Sequence, residues 1–231
     1  MQSARLTNRR YFHEAYRTGI HGWETSEPSP FGVAVLKRLR REIPRGRLLD
    51  LGCGEARNSI AAARLGYKVT AADYEPLALK RARRFVAAAG ATGIAFRRAD
   101  ALRLPFPDSR FDIVLDYGCL HHQKKSDWPA YRRNLLRVLK PRGFYVLSVF
   151  SRAFRLFHGS RRPWHVAYGA YRRRFTPTET RALFGQDFEI IDLKEARGKD
   201  GGFWQALMRR RSQQPGTPRG QATPGRTGGM K

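Results

Sequence analysis

The chain has 231 residues, 41% of them hydrophobic and 12% aromatic, which suffices for one α/β domain with a sizeable core and excludes a wholly disordered molecule. No apolar run approaches the roughly 20 residues of a membrane span, and the start Met1-Gln2-Ser3-Ala4-Arg5 lacks the apolar stretch of a secretory leader, so a cytoplasmic location is expected. Lys and Arg number 45 against 19 Asp and Glu, a net charge of +26; such a field attracts RNA, DNA or anionic membrane at low salt, although genome-wide codon bias also produces this pattern of dispersed arginines.

Residues 1–45 are expected to form a helical cap. The main domain starts near Gly46 with Arg47-Leu48-Leu49-Asp50-Leu51 as a first strand, a turn at Gly52-Cys53-Gly54, and a helix through Ala61-Ala62-Ala63-Arg64-Leu65 that ends at Gly66. Tyr67 to Ala72 forms the second strand. A helix follows from Pro76 to Ala89, with proline in its first turn, where its fixed φ and missing donor are tolerated.

Strand three is Ile94 to Arg97 and strand four Phe111 to Leu115. A helix through Tyr131, Leu135, Leu136 and Val138 leads to Lys140-Pro141-Arg142-Gly143, whose proline and glycine predict a turn before a fifth strand, Phe144 to Val149. Phe188 to Leu193 and Phe203 to Met208, joined by Gly198-Lys199-Asp200-Gly201-Gly202, read as a closing antiparallel hairpin. Strands alternating with helices imply βαβ units in a mainly parallel, doubly wound α/β sheet. From Ser212 to Lys231 the chain is Gly, Pro, Gln, Thr and Arg without apolar period, the composition of a disordered tail.

Cys53 and Cys119 lie in unrelated segments without metal-ligand spacing, so neither a disulfide framework nor a metal site is expected. The chemistry is expected around Asp50 to Gly54. A strand running into Gly-x-Gly and a helix brings backbone N–H groups close to a polar ligand, and an acid at the end of the second strand, here Asp73, is placed to accept ribose hydroxyls.

Four segments in order resemble class I S-adenosylmethionine-dependent methyltransferases: Leu48 to Arg57, Val69 to Asp73, Ala99-Asp100-Ala101 with Leu104-Pro105-Phe106, and Phe111 to Val114 through Leu120-His121-His122. The resemblance implies a Rossmann-like seven-stranded sheet and S-adenosyl-L-methionine as cofactor. It assigns Asp50, Gly52 and Gly54 to the methionine side, Asp73 to the ribose, Asp100 and Ala101 to the adenine, and Asp116 to the point where the methionine moiety and the acceptor meet, with Cys53 and Tyr74 also among the cofactor-binding residues. A capping role for Asp116 competes with that one. Ala56 departs from the family pattern by replacing its third glycine. Dinucleotide oxidoreductases share the strand-turn-helix logic, yet usually carry three glycines there.

Methyl transfer needs alignment rather than a protein nucleophile, and a base only where the acceptor is protonated; His122 is the candidate base. Tyr11 to Gly19 with Gly22-Trp23-Glu24 and Pro28-Ser29-Pro30 is loosely similar to the cap of the thiopurine and tellurite-resistance methyltransferase group. The aromatic and arginine-rich insert 151–180 is expected to cover the acceptor pocket. Asp116-Tyr117-Gly118-Cys119 lacks the Pro-Pro-aromatic run of enzymes that methylate exocyclic amines. A small-molecule acceptor is therefore the leading expectation, with an RNA methyltransferase and a non-catalytic cofactor-binding scaffold as alternatives; the oligomeric state cannot be read from the chain.

Overall fold

The computed structural model describes residues 4–20, 23, 27–157, 159–167, 169–198 and 201–212. The tail from 213 onward, Gly22 and Glu24 of the N-terminal motif, and Lys199 and Asp200 of the hairpin turn lie outside the described residues.

The chain opens with α1 (Ala4–Thr18) and α2 (Pro30–Leu39) and then alternates: β1 (Arg47–Leu51), α3 (Arg57–Arg64), β2 (Lys68–Asp73), α4 (Pro76–Ala88), β3 (Ile94–Arg98), β4 (Phe111–Tyr117) and α5 (Trp128–Val138). After β5 (Leu139–Phe150) come a small hairpin, β6 (Trp164–Ala167) and β7 (Ala170–Arg173), then α6 (Pro177–Phe184), β8 (Phe188–Gly198) and β9 (Gly201–Arg210). Seven strands form one sheet in the order β3-β2-β1-β4-β5-β9-β8, with β9 antiparallel to both its neighbours. That is the expected doubly wound Rossmann-like sheet with its closing hairpin.

Helix starts follow their local chemistry. Proline stands in the first turn of α2, α4 and α6, each preceded by an N-cap whose side chain accepts a backbone N–H: Ser29 from Gly32, Glu75 from Leu77, Thr176 from Glu179. Alternate residues of the central strands bury against opposite faces. Leu49, Val114 and Tyr145 pack with Trp128, Tyr131 and Leu135 of α5 on one side; Leu48, Ile113 and Val146 pack with Phe31, Leu36 and Leu39 of α2 on the other. Of the N-terminal pair, then, α2 belongs to the core.

The turn expected at Lys140 to Gly143 is instead part of β5, which follows α5 without a loop. Phe111 pairs with Leu139, and the next β4 partner, Ile113, pairs with Phe144. The residues between bulge out, with Arg142 at φ +62. A Cβ on Gly143 would meet the Asp112 and Lys140 carbonyl oxygens at 2.9 Å, so the glycine serves the bulge. Two elements in the insert, β6–β7 and α6, were not anticipated.

Candidate cofactor and acceptor site

Strand order reverses between β1 and β4, since β2 and β3 lie beyond one and β5 beyond the other. Ligands of doubly wound folds bind at the carboxyl ends of the strands at this point. There the Gly52-Cys53-Gly54 turn after β1 meets the Gly118-Cys119 turn after β4. Gly52 and Gly54 have φ of +72 and +54; a Cβ on Gly52 would lie 3.0 Å from Cys119 Cβ, and one on Gly54 2.9 Å from the Tyr16 hydroxyl. Ala56, the departure from the family pattern, adopts φ +65 as the N-cap of α3 and is fully buried, so its methyl group is accommodated at the cost of a left-handed alanine.

The four acidic residues differ in their partners. Asp50 is 2% exposed and accepts the Ser59 hydroxyl at 2.5 Å, tying β1 to α3; burial pushes its pKa up to about 6. Asp116 is wholly buried. Its carboxylate accepts the Cys119 N–H at 2.7 Å, the Leu120 N–H at 3.1 Å and the Tyr145 hydroxyl at 3.0 Å, and a short bond from the Tyr131 hydroxyl. Burial raises its pKa to about 6 as well. The Asp116 carboxylate thus meets four protein donors, whereas Asp50 meets the Ser59 hydroxyl.

Asp73 and Asp100 accept backbone N–H groups of the neighbouring turns. Asp73 Oδ2 accepts the Gly54 N–H and Oδ1 the Glu75 N–H, each at 3.0 Å, so one carboxylate joins the glycine turn to the start of α4; burial raises its pKa to about 6. Asp100 Oδ1 accepts the Leu102 N–H at 2.9 Å, Oδ2 meets Arg9 of α1 at 3.1 Å, and Ala101 beside it is buried. Cys53 is a buried free thiol. Among the described residues no group of His, Cys, Asp and Glu is arranged to hold a metal.

Helix α1 packs over Tyr74 and His122 through Phe12, inside the expected cap segment, and through Asn8 and Arg9, which the sequence did not single out. The Tyr74 ring packs edge-on against Phe12, with centroids 6.1 Å apart, and the Arg9 guanidinium lies 5.5 Å from it. Phe12 also meets the His122 ring edge-on at 4.9 Å. Asn8 Nδ2 donates to the His122 carbonyl at 2.8 Å, and Asn8 Oδ1 accepts the Tyr171 N–H of β7 at 2.6 Å.

His121 and His122 form a 3-10 turn, Leu120–His122, but face different surroundings. His121 stacks on Phe150 at 3.6 Å and accepts the Phe150 N–H at Nδ1. His122 Nδ1 donates to the Tyr171 carbonyl at 2.8 Å, which leaves the lone pair on Nε2. Burial lowers its pKa to about 3, so the ring is neutral near pH 7. Tyr117, Phe150, Phe154 and Phe203 form an aromatic wall at the carboxyl ends of β4 and β5, with Phe150 and Phe154 stacked at 4.0 Å and Tyr117 and Phe203 at 6.0 Å.

A family model described as a methyltransferase domain matches residues 48–143. The chain is 28% identical over 131 residues to a 2-heptyl-1-hydroxyquinolin-4(1H)-one methyltransferase of Mycobacteroides abscessus, covering 57% of this chain and 56% of that protein. It is 32% identical over 169 residues to a demethylmenaquinone methyltransferase of Parafrankia sp., covering 66% and 63%. The chain thus spans little more than half the length of these curated relatives. A solved structure of Burkholderia thailandensis 1,6-didemethyltoxoflavin-N1-methyltransferase, bound to 1,6-didemethyltoxoflavin and S-adenosylhomocysteine, shares its fold with TM-score 0.68 and 25% identity over 88% of this chain and 87% of that one. With the glycine turn at the switch point of a seven-stranded sheet of this order, these matches identify residues 48–143 as a methyltransferase domain and make the chain similar to the class I S-adenosylmethionine-dependent methyltransferases.

Proposed function

We propose that this protein transfers a methyl group from S-adenosyl-L-methionine to a small planar aromatic acceptor. The observation that carries the cofactor reading is the pairing of Gly54 with Asp73: a turn too tight for a Cβ, with a carboxylate bonded across it at 3.0 Å. The donor set suits the cofactor. Gly52 and Gly54 let the methionine end approach backbone N–H groups, with Cys53 between them. Asp73 spends one lone pair per oxygen on a backbone N–H and keeps the others for the two ribose hydroxyls. Tyr74 and Ala101 flank the adenine, with Asp100 accepting from its amine.

The bound cofactor supplies a methyl group on a sulfonium ready to leave. The chain aligns the acceptor and excludes water, which accounts for most of the catalysis such a transfer needs. Asp50 and Asp116 act as positioning residues: Asp50 fixes the first helix against the glycine turn, and Asp116 fixes the turn that carries His122. A ring acceptor fits the wall of Tyr117, Phe150, Phe154 and Phe203. The named acceptors of the relatives, a quinolone, a demethylmenaquinone and a didemethyltoxoflavin, are all planar ring systems. The β6–β7 hairpin and α1 close the acceptor side. Where the acceptor carries a hydroxyl, the neutral His122 orients it through Nε2 and takes its proton as the oxygen becomes acidic during transfer.

Calorimetry with S-adenosylmethionine, S-adenosylhomocysteine and NAD tests the cofactor, and labelled methyl transfer to a panel of quinols, hydroxyquinolones, small thiols and bulk RNA tests the acceptor. Binding of both sulfur ligands and label in ring compounds are expected. No heat with either sulfur ligand sinks the reading, and label in RNA alone replaces the acceptor.

A further inference from the structure

Residues 151–178 contain seven arginines and no Asp or Glu. The structure splits these arginines into two groups. Arg172 donates to the Tyr11 hydroxyl at 2.9 Å, Arg173 is buried and paired with Glu179, and Arg174 donates to the Ser160 and Arg161 carbonyls. Arg152, Arg155, Arg161 and Arg162 are exposed. Among them, β6 presents Trp164 and Val166, 40% and 48% exposed; residues two apart on a strand share a face.

These two stand among only four large hydrophobic residues that are exposed in the described part of the chain. Scattered apolar side chains need no explanation, whereas a Trp and a Val side by side on an edge strand amid uncompensated arginines do. An acidic protein partner would answer the charge but not the apolar pair. A nucleic acid would need the tryptophan ring for stacking, and that π-surface already contacts the Arg162 guanidinium at 5.6 Å and the Tyr171 ring at 6.3 Å. An anionic bilayer satisfies both features: indole and valine enter the headgroup boundary while guanidinium groups pair with phosphates.

We propose that the exposed edge formed by Trp164, Val166 and the flanking Arg161 and Arg162 docks onto anionic phospholipid membrane. Val166 pairs in register with Tyr171 of β7, and the backbone of Tyr171 holds both Asn8 and His122. The docking edge is therefore one strand away from the acceptor side, so a lipid-soluble acceptor would leave the bilayer beside the site. That last step rests on the methyltransferase reading; the docking itself does not.

The test is co-sedimentation of the full chain with phosphatidylcholine vesicles, with and without phosphatidylglycerol, at about 0.15 M salt, where charges more than about 8 Å apart are largely screened. Partition onto anionic vesicles is expected, with quenching of tryptophan fluorescence by brominated acyl chains. The double variant Trp164→Ala, Val166→Ala should bind about tenfold more weakly and lose most of the quenching, and Arg161→Gln with Arg162→Gln should weaken binding without changing the quenching of what remains bound. Unchanged S-adenosylhomocysteine binding by each variant, or an unchanged circular dichroism spectrum if the cofactor reading fails, shows that the fold is intact. Vesicle binding by the double variant equal to the parent's means that net charge alone attracts the protein, and overturns the proposal. An equal loss of single-stranded RNA binding in the double variant overturns it too, in favour of a nucleic-acid surface.

Discussion

The side-chain amide of Asn8 binds the backbone of His122 from 114 residues away, and the bond is one side of a closed ring: Asn8 donates to the His122 carbonyl, His122 Nδ1 donates to the Tyr171 carbonyl, and the Tyr171 N–H donates back to Asn8. Helix α1, the histidine turn and β7 are joined at this one point. Asn8→Ala removes a partner from two backbone groups, with an expected stability loss of roughly 1–3 kcal/mol by chemical denaturation. It also loosens the contact that fixes the His122 tautomer. Nitrogen-15 spectra of histidine-labelled protein should show His122 with its proton on Nδ1 in the parent and a mixture of tautomers in the variant. An unchanged spectrum together with unchanged stability means that the ring carries no weight.

Asp73 holds more than a ligand. Because it accepts the N–H groups of Gly54 and Glu75, Asp73→Ala strips two backbone donors as well as the proposed ribose contact. Two effects are expected: a stability loss of roughly 1–3 kcal/mol and a ten- to hundredfold weaker dissociation constant for S-adenosylhomocysteine. Titration at a temperature where the variant is folded separates them. Lower stability with unaltered affinity assigns Asp73 to the turn alone.

What the sequence made legible follows how local the cause is. The parallel strands, the glycine turn and the place of Asp73 at a strand end rest on short-range patterns, and the sheet is the expected mainly parallel one with a closing hairpin. Helix α6 was equally legible, since Thr176-Pro177-Thr178-Glu179 offers an N-cap threonine and a proline in the first turn, although no element was assigned there. The Lys140 to Gly143 segment shows turn chemistry used for a bulge, which only the partner strand reveals. Asp116 reads in the sequence as ligand or cap, and its partners, the hydroxyls of Tyr131 and Tyr145, come from α5 and β5, beyond the reach of any local pattern. Asn8 carried no local signal at all.

Stability should respond to acid through His122. Its pKa is lowered in the fold to about 3, against an unfolded value near 6.5, so its contribution is present above about pH 6.5 and is lost as pH falls through that window. Asp50, Asp73 and Asp116, raised to about 6, work the other way: their contribution is present below about pH 4 and lost as pH rises through 6. A comparison with His122→Phe cancels the carboxylates, which titrate in both proteins. Between pH 6.5 and 5 the parent should lose stability faster on acidification than the variant, by at most about 1.4 kcal/mol per pH unit. Parallel slopes in urea titrations would mean that the imidazole is protonated in the fold.

Gly54 offers a measurement of how tightly α1 closes on the cofactor turn. At φ +54 an alanine is strained by its backbone alone, and its Cβ would in addition lie 2.9 Å from the Tyr16 hydroxyl, a buried phenol held in the roof of the site. Gly90, after α4, supplies the control: its φ is +60, and a Cβ there meets nothing within 4 Å. Gly90→Ala should therefore report backbone strain alone, about 1 kcal/mol. Gly54→Ala should cost more than Gly90→Ala by about 1 kcal/mol or more, because the phenol and the helix that carries it must shift. Tyr16→Phe in the Gly54→Ala background deletes the clashing oxygen and should return much of that excess, less whatever the hydroxyl's own contacts contribute. The S-adenosylhomocysteine affinity should follow the same order, with Gly90→Ala unaffected and Gly54→Ala weakened. Equal costs for the two alanines, measured by denaturation under one set of conditions, would show that α1 sits loosely enough to make room and that the glycine is required by its backbone conformation alone.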